Sequence, residues 1–175
     1  MNREIKFRGQ STLTGKWLYG CLLKIGNNYH ILNSNDICED GHHVMQESDE
    51  PTWVEPNTIG QFTGLLDKDG KEIYEGDIVE YYAEDSFCIN PDCDAPLLVY
   101  GTILRKKTQV VNFCNGMFTT DDEFAAIAWC GISEDYLEDL KNKEEEDEYF
   151  DTNGYELNES ILGIKVVGNI HEKIK

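Results

Sequence analysis

The feature that most constrains this chain is the way its apolar residues are punctuated. They come in short runs that alternate with polar residues and are cut repeatedly by Gly, Asn, Asp and Pro. A period of two sends alternate side chains to opposite faces of a strand, so each run can bury its apolar face only by joining a sheet. The sharpest case is Thr58-Ile59-Gly60-Gln61-Phe62-Thr63-Gly64-Leu65, then Asp67-Lys68-Asp69-Gly70-Lys71, then Glu72-Ile73-Tyr74-Glu75-Gly76-Asp77-Ile78-Val79. Asp-Gly between apolar runs is a hairpin signal, because tight turns need a positive φ that Gly takes without steric cost. Gly76-Asp77 marks a second turn, after which Val79, Tyr81 and Ala83 begin a new strand. The predicted fold class is mainly β, a β-rich α+β arrangement of short strands closed into a small barrel or sandwich.

The N-terminal part reads as an antiparallel meander. Ile5 and Phe7 alternate with Glu4, Lys6 and Arg8, which predicts a strand with the apolar pair inside. A second strand runs from Lys16 to Leu23 with Trp17, Tyr19, Cys21 and Leu23 on one side, and Tyr29 to Leu32 returns after a Gly-Asn turn. Residues 34–57 read as a long acidic loop of the kind that is usually functional or mobile. A second loop spans 84–96, broken by Pro91 and Pro96; Leu97 to Leu104 is a strand, Arg105-Lys106-Lys107 a basic hairpin tip, and Val110 to Phe113 the return. Ser133 is the predicted N-cap of the one helix, with Glu134 and Asp135 in its first turn, where negative charge suits the dipole. Tyr136, Leu137 and Leu140 form its apolar stripe; it frays through 143–148 and is stopped by Asn153-Gly154. Ile164, Val166, Gly168 and Ile170 alternate in a closing strand. The predicted organisation is residues 1–70 as an antiparallel region carrying the loop 34–57, and residues 71–175 as a small barrel carrying an acidic helical insertion at 133–158.

Charge narrows the classes of partner. The chain of 175 residues carries a formal charge of −19. Residues 1–70 hold 6 basic and 10 acidic residues, net −4, and residues 71–175 hold 9 and 24, net −15. Such a field repels phosphates at long range and disfavours a general nucleic-acid binder, while suiting a basic partner or imitation of DNA. No apolar run is long enough for a membrane span and no signal-peptide pattern opens the chain, so the expected compartment is the cytoplasm. The six cysteines are then read as reduced thiols, with Cys21, Cys114 and Cys130 as small core residues. Cys88 and Cys93, with His42-His43 far upstream, are the nearest approach to a zinc site; no second pair follows at zinc spacing, so no metal ligands are assigned.

Three segments resemble the YopX family of phage and prophage proteins. They are Arg3-Glu4-Ile5-Lys6-Phe7-Arg8, the run from Thr58 to Val79 quoted above, and Val166-Val167-Gly168-Asn169-Ile170-His171-Glu172. They occur in the family's order and span nearly the whole chain. The resemblance implies a phage or prophage origin and a β framework whose second part is an SH3-like barrel. It brings no established activity and no catalytic set. The acidic segment at 133–158 departs from a minimal member.

No nucleophile elbow, Walker A loop or dinucleotide fingerprint is present, so no catalytic or cofactor-binding residues are assigned, and the expectation is a nonenzymatic protein. His30 and His171 read as structural strand histidines. The most unusual local feature is Glu144-Glu145-Glu146-Asp147-Glu148, within a stretch, 134–151, that holds ten acids and two lysines, net −8. A binding surface built from Tyr74, Glu75 and Asp77 is weighed against a purely fold-specifying role for them. The expected function is that of an accessory protein acting through macromolecular interaction, with a DNA-mimicking acidic surface and a basic or DNA-acting protein as its partner. The alternatives are a nucleic-acid-binding barrel using Tyr100 and Arg105-Lys106-Lys107, and an enzyme with a site of no familiar pattern. Apolar edge strands are compatible with a homo-oligomer.

Overall fold

A computed structural model describes residues 4–32, 52–88, 100–114, 116–120, 131–147 and 149–172. The first sheet is built from β1 (Phe7–Gln10), β2 (Trp17–Ile25), β3 (Asn28–Leu32), β4 (Trp53–Val54), β5 (Gly60–Leu66) and β6 (Glu72–Tyr74), in the order β4-β3-β2-β1-β5-β6. The expected N-terminal meander is there: β1, β2 and β3 pair antiparallel in sequence order. The hairpin β5–β6 turns through Gly70 at φ +80°. The sheet also curls. Ser11 bridges to Val54, and Glu55 N–H donates to the Gln10 carbonyl at 2.9 Å, so the end of β4 returns to the end of β1. Most of the expected loop at 34–57, together with His42, His43, Cys38, Cys93 and Cys130, lies outside the described residues.

The second sheet comprises β7 (Asp77–Cys88), β8 (Tyr100–Cys114), β9 (Met117–Thr120), β10 (Phe150–Asp151) and β11 (Ile164–Asn169). Its order is β10-β8-β7-β11, with β9 pairing on β8; all pairs are antiparallel except β10 with β8. The mainly β reading therefore holds, but the expected barrel is not closed among the described residues, because β10 and β11 end the sheet without meeting.

Each face of this second sheet has its own core. On one face Val79, Tyr81, Val111, Ile164 and Val166 pack with Phe118 and with Ile73 of the first sheet. On the other, Leu104 packs against Leu137 and Leu140 of the helix α1 (Glu134–Glu146) and against Ile132 and Ile161. The result is three layers: sheet, sheet, helix. Full burial of residues such as Ile73, Val79, Leu104 and Val111 contributes about 1.5–3 kcal/mol each.

Several expectations are corrected. Arg105-Lys106-Lys107 is not a hairpin tip. It lies within β8, opposite Ala83, Tyr82 and Tyr81, where the strand pairing with β7 runs on through it and carboxylates on β7 receive its charges. In the first strand the burial phase is inverted: Ile5 is 68% exposed and Arg8 only 5%. On β2, Tyr19, Cys21 and Leu23 share one side as expected, but that side is exposed rather than core. The helix stops at Asp147, before Asn153-Gly154. In β11 a bulge between Val166 and Gly168 flips the alternation, so Asn169 is buried and Ile170 exposed. A bulge of this kind moves every later side chain to the other face.

Asp67 ties the hairpin to the closing strand. Its carboxylate accepts hydrogen bonds from the N–H groups of Asp69 (2.9 Å), Lys71 (2.8 Å) and Val166 (3.0 Å). Burial pushes its pKa up, but these three donors outweigh it and hold the group below the ordinary carboxylate value. A depressed folded-state pKa adds stability that is complete above the unfolded value of about 4 and is lost as the pH falls toward the folded value. We predict that Asp67→Asn costs about 1–3 kcal/mol at pH 7, and that the gap to the wild type narrows below about pH 4. Urea unfolding of the pair at matched pH checks this. The difference between the two cancels the relief of global charge repulsion on acidification, which acts on both; a gap independent of pH would refute it.

Candidate functional site

The three motif segments, far apart in sequence, converge where the two sheets meet. Arg8 projects from β1 and its guanidinium contacts the Asp77 carboxylate at 2.7 Å, both side chains being almost wholly buried. The Arg8 guanidinium also donates to the Glu75 carbonyl at 3.1 Å and lies 4.7 Å from the centre of the Trp17 ring and 4.8 Å from that of Tyr74. The remaining oxygen of Asp77 accepts from the Tyr74 N–H at 2.8 Å. From β11, Asn169 donates to the Gly76 carbonyl at 2.7 Å and reaches Asp77 at 3.3 Å, while accepting from the His171 N–H. Gly60 is required by this geometry: a Cβ there would stand 2.4 Å from the Glu75 carbonyl oxygen that Arg8 holds.

The rim of the network is also used internally. Tyr74 hydroxyl donates to Glu72 at 2.6 Å, and Glu72 pairs with Lys6 at 2.8 Å. Burial and that hydrogen bond push the Tyr74 hydroxyl pKa up. Burial raises the Glu72 pKa, but Lys6 and Tyr74 outweigh it and hold the carboxyl below its ordinary value. Burial, and then the Arg8 charge, lower the His171 pKa. Glu72 and Tyr74 are thus engaged with each other and with Lys6. Tyr74 and Asp77 are each 1% exposed, so the surface weighed from Tyr74, Glu75 and Asp77 does not exist as a surface; these residues specify the fold. Among the described residues no group of three or more His, Cys, Asp or Glu could hold a metal ion, and no helix is long and apolar enough to cross a membrane. The side chain of Cys88, like Cys93, His42 and His43, lies outside the described residues.

The acidic segment forms an ordered outer layer. The Ser133 hydroxyl accepts from the Tyr136 N–H at 3.2 Å, as an N-cap should. Leu137 and Leu140 bury the inner face of α1, and Glu84 of β7 grips it twice, accepting from the Tyr136 hydroxyl at 2.6 Å and from Lys143 at 2.8 Å. Burial and Glu84 push the Tyr136 hydroxyl pKa up to about 12. Glu134, Asp135, Glu138, Asp139, Glu144 and Glu145 are left exposed on the outside. Lys143 turns inward to Glu84, while the exposed Lys141 pairs with Glu138 at 3.7 Å and offsets one of the outer charges. Of the run 144–148, the side chains of Glu146 and Glu148 lie outside the described residues.

The basic triplet is matched by carboxylates. Lys106 pairs with Glu80 at 2.5 Å, and Arg105 and Lys107 share Asp85 at 3.6 and 2.8 Å. Tyr100 stands 60% exposed at the start of β8.

Sequence reasoning missed Arg8 and Asn169 as the centre of the network, and Glu84 as the anchor of α1. For Arg8 a signal existed: it sits in phase with the aromatic side of β2, opposite Tyr19. For Asn169 none did, since its burial depends on a bulge.

The chain belongs to the YopX family: the family model, described as YopX protein, matches residues 6–174. Among solved structures, protein EF1440 from Enterococcus faecalis is similar over 97% of this chain and 95% of that one, with 21% identity and a TM-score of 0.42. No curated protein matches the chain.

Arg8 and Asp77 are not equivalent partners. Losing Arg8 leaves a buried carboxylate that keeps donors from Tyr74 and Asn169; losing Asp77 leaves the buried guanidinium with only the neutral Glu75 carbonyl and two aromatic faces, and the Tyr74 N–H without its acceptor. We predict that Arg8→Met costs about 3–5 kcal/mol and that Asp77→Ala costs about 1–3 kcal/mol more. Urea denaturation measures both, and equal costs, or a cost below about 1 kcal/mol for either, would contradict the assignment.

Proposed function

From membership of the YopX family as premise, we propose that this chain is a nonenzymatic accessory protein of a phage or prophage, acting in the cytoplasm of a bacterial host. It works by binding a basic or DNA-acting protein through the outer face of α1. The observation that carries this reading is the set of exposed carboxylates on that helix, from Glu134 to Glu145, the helix itself being held in place by Leu137, Leu140 and the two bonds to Glu84. Six carboxylates and the exposed Lys141 over this stretch, at a rise of about 1.5 Å per residue, leave about one net negative charge per 3.6 Å of helix axis. One DNA strand presents about one per 3.4 Å. A partner shaped to grip phosphates would therefore meet a similar linear charge density on an element that does not need to be ordered on binding, which lowers the entropic cost of the complex.

The nonenzymatic part rests on where the perturbed groups sit. Asp67, Glu72 and Tyr74 each spend their hydrogen bonds on backbone, on Lys6 or on one another, and a general acid or base must have a face open to substrate. The nucleic-acid alternative has less to rest on, since Glu80 and Asp85 take up the charges of Arg105, Lys106 and Lys107.

The test is affinity capture from host lysate with two baits, the wild type and Glu138→Gln/Glu144→Gln/Glu145→Gln, read by mass spectrometry across a salt series. We expect the wild type to capture a basic or DNA-acting protein whose recovery falls steeply with ionic strength, and the triple variant to lose it. The same captured proteins with both baits, or none with either, would overturn the proposal.

A further inference from the structure

In a chain with a formal charge of −19, one concave site runs the other way. A cleft of about 140 Å³ opens on the α1 side of the second sheet and is lined by Lys68, Lys106, Lys165, Glu80, Tyr82 and Ser160 among others. Three ammonium groups against one carboxylate give its lining a net positive charge. The placement follows from the strand registers. Lys165 stands opposite Glu80, and Lys106 opposite Tyr82, so these side chains leave the sheet on the same face. Tyr82 packs edge-on against Tyr155 at 5.0 Å and supports the floor.

The walls are rigid. Lys68 follows Asp67, whose carboxylate is tied to Val166, and the Lys68 N–H donates to the Ile164 carbonyl at 2.9 Å. Its ammonium reaches across to the Ser160 carbonyl at 3.1 Å. A lysine ammonium has three donors, and here the partner is a neutral carbonyl. Lys106 is neutralised by Glu80, and Lys165 lies 3.1 Å from Asp69 in a pair where both side chains are half exposed; exposed pairs of that kind exchange partners at little cost.

We propose that this cleft binds a phosphate group, with Lys68 and Lys165 as the ligating ammoniums. Phosphate oxygens could accept from Lys68, whose side-chain partner among the described residues is the Ser160 carbonyl, and draw Lys165 from Asp69, forming charge-assisted hydrogen bonds in a partly enclosed site. The overall negative charge of the chain opposes entry, so binding is weak and falls with salt. The same chemistry is presented by free phosphate and by a nucleotide. The site is separate from the outer face of α1 used in the functional proposal, and neither depends on the other.

The test uses the full ¹⁵N-labelled chain, titrated with inorganic phosphate, adenosine monophosphate, adenosine and, at matched ionic strength, sodium chloride. We expect saturable amide shifts at Lys68, Ser160, Gly163 and Lys165 with both phosphate ligands and with neither control. Tighter binding of adenosine monophosphate than of phosphate identifies a nucleotide; equal binding identifies the free anion. Lys68→Gln and Lys165→Gln should each weaken the response by about tenfold while leaving the dispersed spectrum of the folded chain intact. The charge-matched control Lys24→Gln, on β2, should not. Absence of saturable shifts in the cleft, or shifts that both lysine variants leave unchanged, would overturn the proposal.

Discussion

The contact between Arg8 and Asp77 is the constraint from which the rest of this structure follows. A buried ion pair stabilises only when its remaining hydrogen-bonding groups are met, and here residues from three distant parts of the chain meet them, except at the Arg8 Nε, which is buried with no partner among the described residues. Arg8 comes from β1, Tyr74 and Asp77 bracket the passage from the first sheet to the second, and Asn169 closes β11. The aromatic faces of Trp17 and Tyr74 on the guanidinium contribute about 0.5–2 kcal/mol each. The network thus selects a single register for each strand that enters it, since a slip of one residue would turn Arg8 or Asp77 to the wrong face. The close approach at Gly60 and the bulge in β11 are local departures that make the register possible.

Charge is segregated on this frame. Inside, single charges are paired and hydrogen-bonded: Arg8 with Asp77, and Asp67 on three backbone donors. Outside, α1 carries exposed carboxylates, of which Glu134 and Asp135 suit the helix dipole and Glu138 pairs with Lys141, while the inward-turned Lys143 holds the helix to Glu84. The basic residues of β8 are spent on neutralising β7. A surface of this composition repels itself, which costs stability, so the two cores on either side of the second sheet must overcome that repulsion as well as chain entropy. The apolar packing of Val79, Val111 and Leu104, each 0% exposed, is what allows the acidic exterior.

Much of this was legible in the sequence, and the failures have physical causes. The β class, the Asp-Gly hairpin, the Ser133 cap and the helix stripe all follow from local rules, and the structure agrees with each. The motif segments carried the family. Burial, however, is not local. Alternation in β1 gave the right period and the wrong face, and on β2 Tyr19 and Leu23 stay 44% exposed although Tyr19 stands opposite the buried Arg8. The basic triplet looked like a tip because three consecutive cations are rare in a strand; carboxylates on the neighbouring strand, invisible to a linear reading, accommodate them. Asn169 is buried only because of the bulge, and the lysine cleft exists only in the register of β11 against β7.

The central claim is that the polar junction couples the two sheets into one cooperative unit. Native-state hydrogen exchange on the wild type and Asn169→Ala tests it most directly. Asn169 belongs to the second sheet, yet its loss should lower the protection of amides in β1 and β5, such as Phe7 and Phe62, by a factor similar to that in β7. If protection falls in the second sheet alone and the first is unchanged, the junction is a passive contact and the account is wrong.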